Sequence, residues 1–167
     1  NATAKNDYHP LIATNHIVAW HQFELTRPRF VNVLSRQKPL QYTEDDSELQ
    51  VLGKKFKATF SKNNGELSSF VYQDVELISA GISGNFWRTL TDNDRGWLNN
   101  SNEWRNATLH QQLTKISVGE ITNNQLSVIT SYRLAGDIAD LTLTYTFDGY
   151  GQFKLTSELT PLKSGLK

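Results

Sequence analysis

Arg88, Asp92, Asn93, Asp94 and Arg95 put two guanidiniums, two carboxylates and an amide into one short stretch, NFWRTLTDNDRGW, residues 85–97, which closes on Gly96 and Trp97. Groups of these types at this spacing suit three kinds of chemistry. Alternate oxygens can ligate a metal ion. Two acids can work as a proton-transferring pair. Or the acids can hold a loop in shape at the border of a pocket whose reactive groups lie elsewhere.

The metal reading starts from Asp92-x-Asp94-x-Gly96, which opens like a calcium loop with alternate oxygens facing one ion. Glu103 stands twelfth counting from Asp92, where such a loop wants its bidentate glutamate. Against it, a third oxygen ligand is missing at Gly96, the glycine falls one position early, and no helical pattern precedes the loop. The catalytic reading needs two carboxyls roughly 5–10 Å apart, as in glycosidases. Such pairs usually come from different strands, each in its own tuned environment. Two Asp in a loop are more often turn formers that accept backbone hydrogen bonds.

The neighbouring aromatics widen the choice. Phe86, Trp87, Trp97 and Trp104 flank the acidic turn. Carbohydrate sites combine aromatic faces with carboxylates and amides that take the hydroxyls. Trp97 and Trp104, set in an Asn-rich segment, are the candidate stacking rings; Phe86 and Trp87 are equally at home in a core. His9, His16, His21 and His110 are scattered. His16 and His21 fall on opposite faces of one strand, so they cannot share a metal. No nucleophile elbow, phosphate loop or basic aromatic patch is present. The cluster Lys54-Lys55-x-Lys57 alternates with apolar residues and reads as the wet face of a strand.

The elements that must position these groups are strands. HIVAWHQFEL, residues 16–25, alternates Ile17, Ala19, His21, Phe23 and Leu25 against His16, Val18, Trp20, Gln22 and Glu24, the pattern of a long strand. FVNVL, 30–34, is a second apolar run. Residues 36–47 are polar, hold Pro39 and the acids Glu44, Asp45 and Asp46, and read as a linker. From Glu48 a meander follows: LQVLG, then KFKATF with Phe56, Ala58 and Phe60 on one face, then the turn Lys62-Asn63-Asn64-Gly65, then ELSSFVY and VELIS. QLSVITSYRL, ADLTLTYTF and GQFKLTSEL alternate in the same way. The second of these faces Leu141, Leu143, Tyr145 and Phe147 one way; the third aligns Phe153, Leu155, Ser157 and Leu159 after the turn at Asp148–Gly151. Only 97–112 suggests a helix, without a clean 3.6 period. The class is all-β, an antiparallel sandwich.

Seventeen basic and seventeen acidic residues cancel, so no global field favours nucleic acid or an anionic membrane. With neither Cys nor Met, disulfides and Cys-based metal sites are excluded. No apolar run approaches membrane-span length. The sequons at Asn1, Asn99 and Asn106 are read as chance in an Asn-rich chain. The start at Asn1-Ala2-Thr3 and the stop in mid-pattern at Lys167 suggest a piece of a longer protein.

NFWRTLTDNDRG resembles the signature of the multidomain β-galactosidases of glycoside hydrolase family 2, NFWRAPTDNDxG. Asn85, Phe86, Trp87, Arg88, Thr91, Asp92, Asn93, Asp94 and Gly96 match. Thr89 and Leu90 stand for the usual Ala and Pro, which leaves the entry to the turn less rigid. GKKFKATFSKNNGELSSFVYQDVELI is similar to the opening hairpins of that family's last domain, with its Gly-x-Leu turn at Gly65-Glu66-Leu67. NATAKNDY and HIVAWHQFEL look like closing strands of the sandwich domain before it.

The resemblance implies an organisation: 1–35 closing the preceding sandwich, 36–47 linking, and 48–167 forming the N-terminal part of a galactose-mutarotase-like supersandwich. It implies that the catalytic glutamates lie on a TIM barrel outside this chain, as does the magnesium such enzymes use. It also implies a rim loop at the galactoside site, running from Gly96 through Trp97, with Gly96 as hinge. Arg88, Asp92, Asn93, Asp94 and Arg95 would form its base. The partners expected are galactoside substrate, through the parent enzyme, and that enzyme's other domains. Exposed strand edges suggest oligomers. The expected compartment is the cytoplasm, or the periplasm should a signal precede Asn1. The rival functions are a self-standing carbohydrate-binding module and a mutarotase-like epimerase. The epimerase would need a carboxylate base paired with a His acid.

Overall fold

A computed structural model describes residues 2–4, 12, 14–23 and 39–164, without the side chains of 95–101. The chain divides into two compact units, Asn1–Leu34 and Ser35–Lys167. FVNVL, residues 30–34, and His9 lie outside the described residues.

In the first unit β1 (Ala2–Thr3) pairs antiparallel with β2 (Ile17–Ala19). The expected strand over 16–25 is therefore shorter than its alternation suggests: Trp20 to Phe23 carry no ladder, and Glu24 and Leu25 are not described. A strand extends only as far as its partner satisfies its backbone, and β1 offers two residues. Ile17, Val18, Trp20 and Phe23 are all exposed within this unit.

The second unit is an antiparallel sandwich. One sheet runs β3 (Gln41–Glu44), β4 (Glu48–Leu52), β5 (Phe56–Ser61), β6 (Leu67–Tyr72) and β7 (Val75–Glu76) in sequence order. The other is ordered β11-β10-β9-β8, from β8 (Gln112–Val118), β9 (Gln125–Arg133), β10 (Ala139–Asp148) and β11 (Phe153–Pro161). Period-two alternation is realised most fully in β10, where Ala139, Leu141, Leu143, Tyr145 and Phe147 are buried and the residues between them are not. Leu49, Val51, Phe56, Ala58, Phe60, Leu67 and Phe70 face them from the other sheet. Aromatic contacts join the layers: Phe147 lies 6.0 Å from Phe56, 6.1 Å from Phe60 and 6.4 Å from Phe70 between centroids, and Tyr145 meets Phe60 edge-on at 5.0 Å.

Two elements differ from expectation. The stretch read as a linker contributes β3, whose register runs from Gln41 opposite Leu52 to Glu44 opposite Leu49. Of the acids there, Glu44 ends β3, and Asp45 and Asp46 lie in the turn that leads to β4. The Asp45 carboxylate accepts from Ser47 N (2.7 Å), Glu48 N (2.8 Å) and Ser47 Oγ (2.9 Å), which folds the chain back into β4 and holds the carboxyl below its usual pKa, the Glu48 amide contributing most. VELIS gives only the two-residue β7. The Glu76 carboxylate turns back onto Phe70 N (2.8 Å) and Ile78 N (3.2 Å), so a side chain replaces the next ladder partner.

Turn chemistry sets the hairpins. Gly65 has φ +73, a conformation that favours glycine. Gln73-Asp74 and Asn123-Asn124 each pair two positive φ values, the geometry of a two-residue hairpin loop matched to strand twist. The expected helix over 97–112 is α1 (Leu98–Leu109). With no continuous apolar stripe, it is held by what it touches: Ala107 is fully buried, and Trp104 packs on Phe86. Among the described residues no helix is long and apolar enough to cross a membrane.

Candidate functional site

Between β7 and α1 the chain runs as a strap without regular structure, then tightens into a 3-10 turn, Asp92–Trp97, that leads into α1. Side chains from α1 and just beyond hold the strap down. Thr108 Oγ1 accepts from Phe86 N at 2.8 Å while donating to Trp104 O at 3.0 Å. Gln111 Nε2 donates to Gly84 O and, at 3.2 Å, to Thr108 O. The Phe86 and Trp104 rings pack at 5.9 Å, and both lie half-buried against the core. The Arg105 guanidinium sits 5.2 Å from the centre of the Trp87 ring, within cation–π range. The Trp87 indole N–H is buried and has no acceptor among the described residues.

The acidic turn is organised by one carboxylate. Asp94 Oδ2 accepts from Arg88 Nη1 (2.7 Å), Thr91 N (2.7 Å) and Thr91 Oγ1 (2.8 Å), and Asp94 Oδ1 accepts from Arg88 Nη2 (3.0 Å). Asp94 N in turn donates to Thr91 O at 3.0 Å. This resembles half of a capping box: the acid three positions into the turn reaches back to the backbone N–H that precedes it. The two-pronged Arg88 pair is the strongest geometry a guanidinium and carboxylate can adopt. Together with the Thr91 donors it holds the Asp94 carboxyl far below the usual carboxylate range and raises Arg88. A carboxylate so engaged is a poor proton carrier at neutral pH and has few lone pairs left for a cation.

The other residues singled out from sequence fall around this lock. Asp92 and Asn93 are exposed on the outer side of the turn. Arg95, Gly96 and Trp97 lie in the turn, with their side chains outside the described set. Trp104, a candidate stacking ring, is packed on Phe86. Among the described residues no three of His, Cys, Asp and Glu converge as metal ligands. His16 and His21 belong to the first unit and His110 to the second. Glu103 and His110 border one open cleft of about 340 Å3, with Asn106 and Lys163, and both are exposed.

Thr108, Gln111 and Arg105 hold the site without having stood out in the sequence. Thr91 stood out only as a match to the signature, although the spacing Thr-x-x-Asp carried its role. Thr108 and Gln111 carried none, because their partners lie 22 and 27 residues away.

Relatives define the class. Residues 52–166 match the family described as "Beta galactosidase small chain". The chain is 34% identical over 151 residues to a beta-galactosidase of Priestia megaterium, covering 86% of this chain and 14% of that protein. It is 34% identical over 118 residues to the beta-galactosidase of Lactobacillus delbrueckii subsp. bulgaricus, covering 69% and 12%. A beta-galactosidase of Clostridium acetobutylicum is 28% identical over 141 residues, covering 83% and 16%. The chain belongs to the beta-galactosidase small-chain family. It spans a small fraction of the length of these relatives.

Proposed function

We propose that this chain is a non-catalytic β-sandwich segment of a β-galactosidase, and that its strap and acidic turn form the fixed base of a rim loop beside the sugar site. The observation that carries this reading is the Arg88–Asp94–Thr91 lock. A carboxylate held by two guanidinium N–H groups and two donors of Thr91 is suited to keeping a loop in shape and unsuited to general acid or base work. Hydrolysis of terminal β-D-galactosides then belongs to the parent enzyme, with its acids and its magnesium on other domains. Residues 96 and 97 carry the rim itself, and Trp104 serves as a structural ring. In this reading residues 1–35 close a preceding sandwich, β11 continues into further strands of a mutarotase-like supersandwich, and the parent works in the cytoplasm.

The isolated chain is expected to release no chromophore from a chromogenic β-galactoside. Turnover by the isolated chain that Asp94→Asn abolishes would sink the reading. In the full-length enzyme, Arg88→Ala is expected to raise KM more than it lowers kcat, because it loosens a border and leaves the reacting groups in place. Unchanged values of both would remove the rim role. Saturable quenching of Trp fluorescence by galactose in the isolated chain, lost in Trp97→Ala, would point to a self-standing binding module.

A further inference from the structure

The strap has no ladder to set its register. After the bridge from Ile82 to Leu67, residues 83–90 pair with no strand. A slip of one residue moves an extended chain by about 3.3 Å. Whatever fixes the register of the strap therefore fixes where the acidic turn stands. α1 and its exit do this. Trp104, Thr108 and Gln111 follow one another at the spacing of one helix face. His110 N donates to Asn106 O at 2.9 Å, which carries the helical winding past Leu109. These residues meet the strap in reverse order: Gln111 reaches Gly84, Thr108 reaches the Phe86 amide, Trp104 packs on the Phe86 ring, and Arg105 lies over Trp87. Helix and strap run antiparallel, with side chains in place of ladder bonds.

Two of these contacts select particular backbone groups. The Gln111 amide has two hydrogens to give, and they go to Gly84 O and Thr108 O, so one side chain ties the strap to the last turn of the helix. Thr108 Oγ1 is committed in both directions, accepting from Phe86 N and donating to Trp104 O. At Gly84 the strap lies directly on the sandwich, where a Cβ would stand 2.8 Å from Leu141 Cδ2. A slip by one residue would bring the side chain of Ser83 or Asn85 against Leu141 and leave the Phe86 amide without its hydroxyl. Each contact thus excludes the neighbouring registers.

We propose that Gln111 and Thr108 are positioning residues for the rim. They fix the register of the strap along α1 and so place, beside the sugar, a turn whose shape the Arg88–Asp94–Thr91 lock sets by itself. The proposal rests on the reading of this chain as the border of a galactoside site. Lock and register are separable. Every partner in the lock lies within residues 88–94, whereas the register bonds join segments 22 and 27 residues apart. Loss of a register bond therefore displaces the turn without unmaking it. A misplacement of about 1 Å is enough to weaken a site strongly, and a register slip is larger.

The test uses the full-length enzyme carrying Gln111→Met, which keeps the length and removes the donors, or Thr108→Val. Thr108→Ser retains the hydroxyl and serves as the rescue. Each of the first two is expected to raise KM for a chromogenic β-galactoside severalfold with kcat little changed, and Thr108→Ser to bring KM back toward the wild-type value. In hydrogen–deuterium exchange the Phe86 N–H should exchange faster in both, while the Thr91 N–H keeps its wild-type rate, because the turn is moved and not melted. Thr91 exchange that accelerates as much as Phe86 exchange would overturn the proposal, since strap and turn would then unravel together. So would an unchanged KM in both variants beside a raised KM in Arg88→Ala, which keeps the rim and removes the register from it. An unchanged KM in all three would sink the rim reading itself, and this proposal with it.

Discussion

Arg88 and Asp94, six residues apart, clasp each other through two parallel hydrogen bonds of 2.7 and 3.0 Å across the mouth of the acidic turn. The arginine is two-thirds exposed and the aspartate mostly covered. The pair therefore closes the turn from its wet side, and Thr91 adds a backbone and a hydroxyl donor to the same carboxylate.

Asp94→Asn is the direct probe of this clasp. An amide keeps the size but removes the charge, and it replaces one acceptor oxygen with a donor that opposes the guanidinium. The Thr91 N–H should lose protection, exchanging roughly tenfold faster or more, the scale of a hydrogen bond to a charged group. Hydrogen–deuterium exchange at Thr91 measures it. Unchanged exchange would show that the backbone holds the turn without the carboxylate.

The same clasp predicts a pH dependence. The folded-state pKa of Asp94 is depressed, chiefly by the Arg88 hydrogen bonds and then by Thr91. A depressed carboxylate contributes stability above its unfolded pKa and loses it as pH falls through the folded value. The clasp's contribution to stability should thus be constant through neutral pH and begin to shrink only below about 4, the ordinary carboxylate range. Urea midpoints of the chain and of Asp94→Asn, compared from pH 7 to pH 3, would report it as a difference that narrows below about 4. A transition centred between pH 5 and 7 would mean another group controls the turn.

Thr108→Val tests how α1 grips the strap. The hydroxyl accepts from Phe86 N, and valine matches its shape without an acceptor. A half-buried N–H left unpaired costs about 1–3 kcal/mol. The chemical-denaturation midpoint should fall accordingly, and Phe86 N–H exchange should accelerate more than exchange in β10. Equal acceleration everywhere would indicate global destabilisation without a specific strap contact.

What could be read from the sequence divides along a physical line. Phe56, Ala58 and Phe60, and four of the five inward residues of β10, were legible because alternation is a local property of a half-buried strand. The turn at Asn64-Gly65 was legible because the positive φ of Gly65 restricts residue choice. The length of β2 was not, since HIVAWHQFEL alternates whether or not a partner strand lies beside it. β3 hid within a polar stretch because an edge strand with all four residues exposed has no apolar face to show. The acidic turn declared its residue types but not its wiring. Nothing local tells that Asp94 goes to Arg88 and Thr91 while Asp92 and Asn93 face outward. The grip of Thr108 and Gln111 on the strap is a tertiary fact with no pattern in either segment.

Gly65→Ala should destabilise by about 1–3 kcal/mol, for two reasons that add. Its φ of +73 strains any side chain, and the new methyl would meet Leu113 Cδ1 and the Tyr132 hydroxyl well inside contact distance. Urea unfolding measures the loss. A neutral result would mean that the hairpin relaxes away from β8 and β9, in which case the Tyr132 environment should change in the near-ultraviolet dichroism.

β11 poses the last question, because its pattern and its burial disagree. Leu155 and Leu159 stand opposite Tyr145 and Leu141, on the inward side by register, yet they remain 39% and 38% exposed. Only Phe153 of this strand packs onto the core. On its outer side β11 pairs with no other strand among the described residues. An edge nine residues long with apolar side chains over it is the arrangement that recruits another strand. The isolated chain should therefore self-associate at high concentration through β11, as the intact parent would not if its own later strands cover the same edge. Leu159→Lys places a charge on that face and should shift sedimentation toward monomer, with the core, and hence the thermal midpoint, little changed. A wild-type chain that sediments as a monomer at millimolar concentration would show that this edge is protected by twist or by its own polar residues, Thr156, Glu158 and Thr160, without any covering strand.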